Sequence, residues 1–394
     1  MRLPLENLKV LDLTRVLAGP YATMILGDLG ADIIKLEMPD KGDDSRFFGP
    51  YINGESGYFM SLNRNKRSIT LNLKDKREKE IFLAIVKEVD VVVENFRPGT
   101  MKKLGLGYDT LKEINPEIIY AATSGYGHTG PYSKRAAYDA VVQAMSGLMS
   151  ITGEKDGRPT RVGTSIGDIT AGLFTVIGIL TALANKYETG KGQKVDVAML
   201  DCQVAILENA IARYVVTGEI PKPEGNKHPS IVPFETFETK DGEIMIAAGN
   251  DFLWGEFCSI IDRKDLINDE RFKTNPIRNK NYDELRPLIA EPLKYKKTKE
   301  WQVILDSAGI PNGPINTIDK VLVDPQIKAR EMIVEMDHPI VGKFKVPGIP
   351  IKLSDTPGKI RKASPTLGED TREVLKELLG YEESEIGELA NGKV

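Results

Sequence analysis

The chain has 394 residues, is 41% hydrophobic and 28% charged, and sets 53 Lys and Arg against 57 Asp and Glu, for a net charge of -4. That composition excludes a disordered or fibrous chain, and the lack of a basic excess excludes a general surface for nucleic acid or anionic lipid. Two cysteines and three histidines, all far apart, exclude a disulfide framework and leave no Cys/His metal cluster to predict.

In chain order, Met1 to Thr14 runs straight into a strand pattern and reads as lacking a signal peptide, which points to a cytoplasmic protein. Lys9–Leu13 is the first strand, and a helix follows from Leu17-Ala18-Gly19-Pro20 to Gly27. Asp32–Glu37, Ser68–Leu73, Val91–Val93 and Ile118–Ala122 read as further strands, with a helix over Asp75–Val89. Strands separated by helices predict an α/β fold with a Rossmann-like parallel sheet, whose ligand crevice lies beyond the carboxyl ends of the strands. Arg15–Pro20, Asn72–Lys74 and Glu94–Gly99 fall in that crevice. Helical patterns continue over Tyr138–Met149, Asp168–Lys186 and Leu200–Val216, the last after a short strand at Val195–Ala198. The uncharged run Ile169–Asn185 is at the short limit for a membrane span and is read as a buried core helix, so no membrane partner is expected.

The domain plan follows from composition. Residues 1–216 form a large domain, and the proline-rich 217–233 a linker. A smaller α+β domain covers 234–323, an extended return linker 324–365, and residues 366–394 rejoin the large domain.

No dinucleotide fingerprint, phosphate-binding P-loop or hydrolase serine elbow is present. Asp168 stands at the mouth of the long uncharged helix. There it is either an ordinary helix cap or an ionised nucleophile, since free N–H groups and the helix dipole favour the carboxylate. Glu94-Asn95-Phe96-Arg97-Pro98-Gly99 leaves a strand and opens a helix carrying Lys102 and Lys103. It suits either phosphate groups or a solvated basic turn. The cluster Asn63-Arg64-Asn65-Lys66-Arg67-Ser68 reads as a solvated face.

Taken together, these segments resemble the class III CoA-transferases (CaiB/BaiF type), the family of formyl-CoA and carnitine CoA-transferases. The resemblance rests on Leu17–Pro20, Leu29–Glu37, Asn65–Ser68, Glu94–Gly99, Gly125–Gly127 with Gly130-Pro131, Gly167-Asp168, Thr189–Gln193 and Leu367–Glu369. It implies an enzyme that uses a coenzyme A thioester as substrate, with no permanently bound cofactor, and transfers CoA to a carboxylic acid. Asp168 then forms an acyl–aspartyl anhydride and an aspartyl–CoA thioester. Carried over by motif, the CoA contacts are Leu17, Ala18, Leu71, Asn72, Leu73, Lys74, Asn95, Phe96, Arg97, Lys103 and Tyr138, the last near the reacting carbonyl. The resemblance also implies an interlocked homodimer.

Met38 stands where formyl-CoA transferases carry a basic residue, and no glycine run occurs between Gly218 and Gly249. Formate/oxalate exchange is therefore not expected. The segment Gly225–Phe234 looks closer to relatives that use succinyl-CoA. The α-methylacyl-CoA racemases share much of the N-terminal pattern, but their His-Asp pair is Tyr138-Asp139 here, and a phenol of pKa ~10 is a poor base for an α-proton. A CoA-binding protein without turnover is the remaining alternative.

Overall fold

The computed structural model describes residues 2–390. Two compact units divide the chain: the first holds residues up to Leu148, Arg161–Val216 and those from Pro325 on, and the second holds Met149–Thr160 and Thr217–Asp324.

The first unit opens with β1 (Lys9–Asp12), α1 (Ala18–Asp28), β2 (Asp32–Glu37), a small hairpin of β3 (Tyr51–Ile52) and β4 (Glu55–Ser56), and α2 (Gly57–Leu62). It continues through β5 (Lys66–Thr70), α3 (Lys76–Glu88), β6 (Val91–Glu94), α4 (Thr100–Lys103), α5 (Tyr108–Ile114) and β7 (Ile119–Ser124). Then come α6 (Asp139–Met145), α7 (Ile166–Thr189), β8 (Lys194–Ala198), α8 (Met199–Ala205) and α9 (Asn209–Thr217). The six long strands form one parallel sheet in the order β5-β2-β1-β6-β7-β8.

Both faces of this sheet are covered, so its strands are apolar on successive residues rather than on alternate ones. Val91 and Val93 pack with Ala22, Leu26, Val176 and Ile179 of α1 and α7. Val92 and Leu11 pack on the other side with Phe82, Ile85 and, from near the C-terminus, Val374 and Leu375. The expected helix over 200–216 is two helices, because Glu208 takes a left-handed φ of 54° between them. The third long strand begins at Lys66, two residues earlier than the sequence suggests.

The second unit contains β9 (Phe234–Glu238), β10 (Glu243–Ala247), α10 (Asp251–Ile260), α11 (Asn275–Lys280), α12 (Tyr282–Leu293), α13 (Thr298–Ser307), β11 (Asn312–Pro314) and α14 (Ile318–Val321). Its antiparallel sheet runs β11-β10-β9 over a core centred on Trp254, Phe257 and Trp301. Residues 149–160 and 217–233, assigned from sequence to the large domain and a linker, fall within this unit. The Gly225 N–H donates to the Gly153 carbonyl at 3.0 Å and ties the two stretches together.

The chain then returns to the first unit with α15 (Pro325–Ala329), the hairpin β12 (Ile333–His338) and β13 (Gly342–Pro347), α16 (Thr371–Leu379) and α17 (Glu383–Ala390). The return segment is therefore partly folded, where composition suggests an extended stretch.

Candidate active site

Strand order reverses between β1 and β6, so the loops leaving these two neighbours separate and open a crevice beyond their carboxyl ends. The two loops are locked together. Asn95 accepts the Arg15 N–H at 2.8 Å and donates its amide to the Arg15 carbonyl at 2.7 Å. The next residue, Val16, has a φ of 69°. A β-branched side chain resists that left-handed conformation, at a cost of about 1–3 kcal/mol. The Val16 N–H donates to Asp43 at 3.0 Å.

Asp43 is itself fixed by Lys35, fully buried at 2.9 Å, and by the N–H and hydroxyl of Ser45. Burial works against ionisation of Asp43, but Lys35 and the donors from Ser45 and Val16 outweigh it, holding the carboxyl below the usual carboxylate range. Beyond Val16, α1 starts, and the N–H groups of Leu17, Ala18 and Gly19 take no protein acceptor among the described residues.

Asp168 faces the same crevice from α7. The cap residue is Ser165 and Asp168 is the third helical residue, so it is not the cap that its position in sequence suggests. Its carboxyl receives no hydrogen bond from the described residues, although it is only partly exposed. Asp139 does what a cap would do: it accepts the Gly167 N–H at 2.8 Å, and the Gln143 amide holds its other oxygen at 2.8 Å. Burial first, and then the charge of Asp139, push the Asp168 pKa up to about 7. The expected preference for the ionised form is thus reversed, because desolvation and a like charge outweigh the helix terminus. Tyr58, which sequence reasoning missed, is pushed up to about 12 by burial and then by the charges of Asp168, Asp43 and Asp139.

The crevice holds two adjoining cavities. One, of about 210 Å³, is lined by Arg15–Ala18, Asn95–Pro98, Thr123–Gly125, Arg135–Tyr138, Asp44, Met199 and Asp168. The other, of about 200 Å³, is lined by Leu71–Lys74 together with Leu13, Leu36, Met38, Thr100 and Leu104. Arg15, Asp44 and Phe96 border both. Of the residues expected to contact CoA, Leu17, Ala18, Asn95, Phe96, Arg97 and Tyr138 therefore share the first cavity with Asp168, while Leu71, Asn72, Leu73 and Lys74 line the second. Lys103 lies exposed at the end of α4 and lines neither.

Arg97 and Arg135 have no carboxylate partner among the described residues, which leaves two cations of this crevice free for an anionic ligand. Arg135 stacks over the Tyr132 ring at 4.7 Å. No histidine lines either cavity, so the acid–base pair of a racemase is not assembled there.

The Asn63–Ser68 cluster is not a solvated face. Arg64 pairs with buried Asp28 at 2.6 Å, and Lys66, fully buried, pairs with Asp12 at 3.1 Å. Arg67 bridges Asp32 and Glu377. These cations sit at the start of β5, where the partner carboxylates of α1, β1 and β2 are adjacent in space but 35–54 residues away in sequence. Glu94 ends β6 in a similar way. It accepts the Phe96 N–H at 2.7 Å and the Tyr120 hydroxyl at 3.1 Å, and burial raises its pKa to about 7. No group of His, Cys, Asp and Glu able to hold a metal ion occurs among the described residues.

The chain matches the family model described as CoA-transferase family III over residues 5–371. It is 44% identical over 392 residues to the succinyl-CoA:glutarate CoA-transferase of Homo sapiens, covering 99% of this chain and 90% of that one. It is 43% identical over 382 residues to the acetyl-CoA:oxalate CoA-transferase of Acetobacter aceti, covering 96% of this chain and 97% of that one. Among solved structures, a CaiB/BaiF family protein from Brucella suis superposes with a TM-score of 0.85 at 42% identity, covering 96% of this chain and all of that one.

Proposed function

The chain belongs to CoA-transferase family III and moves coenzyme A from an acyl-CoA to a carboxylic acid; from that premise we propose that succinyl-CoA is its donor, a dicarboxylic acid its acceptor and Asp168 its nucleophile. The observation that carries this reading is the Asp168 carboxyl, which takes no hydrogen bond from the described residues and lines a cavity together with Arg97, Arg135, Leu17 and Ala18.

The chemistry needs no net proton. A carboxylate oxygen of Asp168 attacks the thioester carbon, the C–S bond breaks, and CoA thiolate leaves a mixed anhydride behind. The thiolate then attacks the Asp168 side-chain carbonyl carbon, releasing succinate and forming an aspartyl–CoA thioester. The acceptor carboxylate attacks that carbon and expels the thiolate. The thiolate finally takes the acceptor's acyl group and frees Asp168. Each tetrahedral oxyanion gains from fixed backbone donors, and the N–H groups of Leu17 and Ala18, which line the same cavity as Asp168, would supply them. An anhydride must also be kept from water, which the partly closed cavity favours.

Phe96, Arg97 and the Leu71–Lys74 wall would hold the CoA moiety, with Tyr138 beside the reacting carbonyl. The donor is inferred from the relatives named for succinyl-CoA with glutarate and mesaconate. A relative named for oxalate keeps that acid in the test panel despite the missing glycine run. A homodimer, a cytoplasmic location and the absence of a resident cofactor belong to the same reading.

The test is to incubate the protein with succinyl-CoA and glutarate, mesaconate or oxalate, and to detect new thioesters by mass. Asp168→Ala should lose at least about 10³-fold in rate while keeping CoA affinity within about threefold. Hydroxylamine added during turnover should modify Asp168. Product formed without that modification, or an active Asp168→Ala enzyme, would overturn the assignment.

A further inference from the structure

We infer that Asp43 is a positioning residue for transfer: through its hydrogen bond to the Val16 N–H it holds the Arg15–Ala18 wall in the one backbone path that aims the α1 N–H groups into the cavity of Asp168. The inference rests on the reading of that cavity as the transfer site.

Three observations converge on it. Val16 is the only β-branched residue with a positive φ among the described residues, and it lies between two residues that line the cavity. Strained backbone of this kind persists only where its surroundings over-determine it. Here the restraints are Asn95, gripping Arg15 through both backbone atoms, and Asp43, gripping Val16. Asp43 is set rigidly for the task. Its own N–H donates to Glu37 at 2.9 Å, its carboxylate meets Lys35 at 2.9 Å, and Lys35 in turn donates to the Thr14 carbonyl at 2.8 Å, just before the strained turn. The buried pair therefore grips both ends of the segment Thr14–Val16 and does more than neutralise itself.

Removing Asp43 alone would strand a buried ammonium, so the comparison is made in a Lys35→Met background, where no charge is left unpaired. In that background Asp43→Asn retains an oxygen to accept the Val16 N–H, whereas Asp43→Leu does not. The expected result is that Asp43→Leu lowers kcat by about 100-fold relative to Asp43→Asn, with KM for the acyl-CoA changed by less than about threefold, as for loss of an oxyanion donor. Adding Val16→Gly to Asp43→Leu should recover at least about tenfold in kcat, since glycine takes a positive φ without restraint.

Equal kcat for the Asn and Leu variants, or no recovery with Val16→Gly, would overturn the inference. Hydroxylamine labelling of the Asp43→Asn variant separates the two levels. If Asp168 is labelled but Val16→Gly restores nothing, only the role of Asp43 falls. If Asp168 is never labelled while product forms, the transfer-site reading falls with it.

Discussion

As the proposed nucleophile, Asp168 must be a carboxylate to attack a thioester carbon, yet its surroundings raise its pKa. With a pKa near 7 raised by burial and by Asp139, the free enzyme is only partly ionised at neutral pH. The sign follows directly: protonation removes the nucleophile, so kcat/KM should climb with pH through about 7 and level off above it. At pH 6 the wild type should run at about a tenth of its plateau. Glu94 titrates in the same range because it is buried, so the profile alone does not identify the group. Asp139→Asn does, because it removes the like charge beside Asp168 and should move the acid limb to lower pH. Glu94→Gln should leave the limb where it is. A pH–rate series on the three proteins checks this, and an unmoved limb in Asp139→Asn would assign the titration elsewhere.

The elements that carry the two halves of the site, α1 and α7, meet at Gly172. A β-carbon there would lie 2.8 Å from the Ala18 carbonyl oxygen and 3.0 Å from the Tyr21 ring. The first of these is backbone, so α1 itself would have to move. Gly172→Val should therefore cost about 1–3 kcal/mol by overpacking and shift Leu17 and Ala18 away from Asp168. Thermal unfolding should show the first effect, and the second should appear as a fall in kcat greater than the change in CoA affinity.

The sheet and its covering helices were legible in sequence because Val91–Val93, Ile33-Ile34 and the regular strand–helix spacing report burial on both faces. That Asp168, Asn95–Arg97 and Leu71–Lys74 lie along one crevice was legible through motif order and through the rule that crevices form at strand ends. The roles of Asp43 and Asp139 were not, since each acts on a backbone N–H 27 or 28 residues away, and no local pattern encodes such a pairing. Lys66 was misread for the same reason: a cation looks solvated until its buried partner, Asp12, is located 54 residues upstream.

α7 is apolar on its exposed side as well as on its buried one. By length and composition it could cross a membrane, but half of its apolar stretch is buried in the fold, where Val176 and Ile179 complete the core against the sheet. Extracting it would expose that core, so a bilayer is a poor occupant for the remaining face. That face carries Leu173, Phe174 and Ile177, which share one helical stripe, and α9 separately exposes Ile211, Tyr214 and Val215. Ile177 is 56% exposed and Val215 73% exposed, and apolar stripes of this kind are where a partner surface would be buried. A second copy of the chain is the occupant that fits the proposed homodimer, and a stable interface would cover about 800 Å² on each protomer. The pair Ile177→Glu and Val215→Glu sets four charges into such an interface, two from each protomer, and should weaken it by at least about 100-fold. Sedimentation at micromolar concentration should then show a dimer for the wild type and monomer for the variant. Unchanged mass in both proteins would leave these stripes without a partner of this kind. Because neither substitution touches the Asp168 cavity, CoA affinity should survive in the variant. Any loss of transfer that tracks the loss of dimer would then show that turnover depends on the paired state.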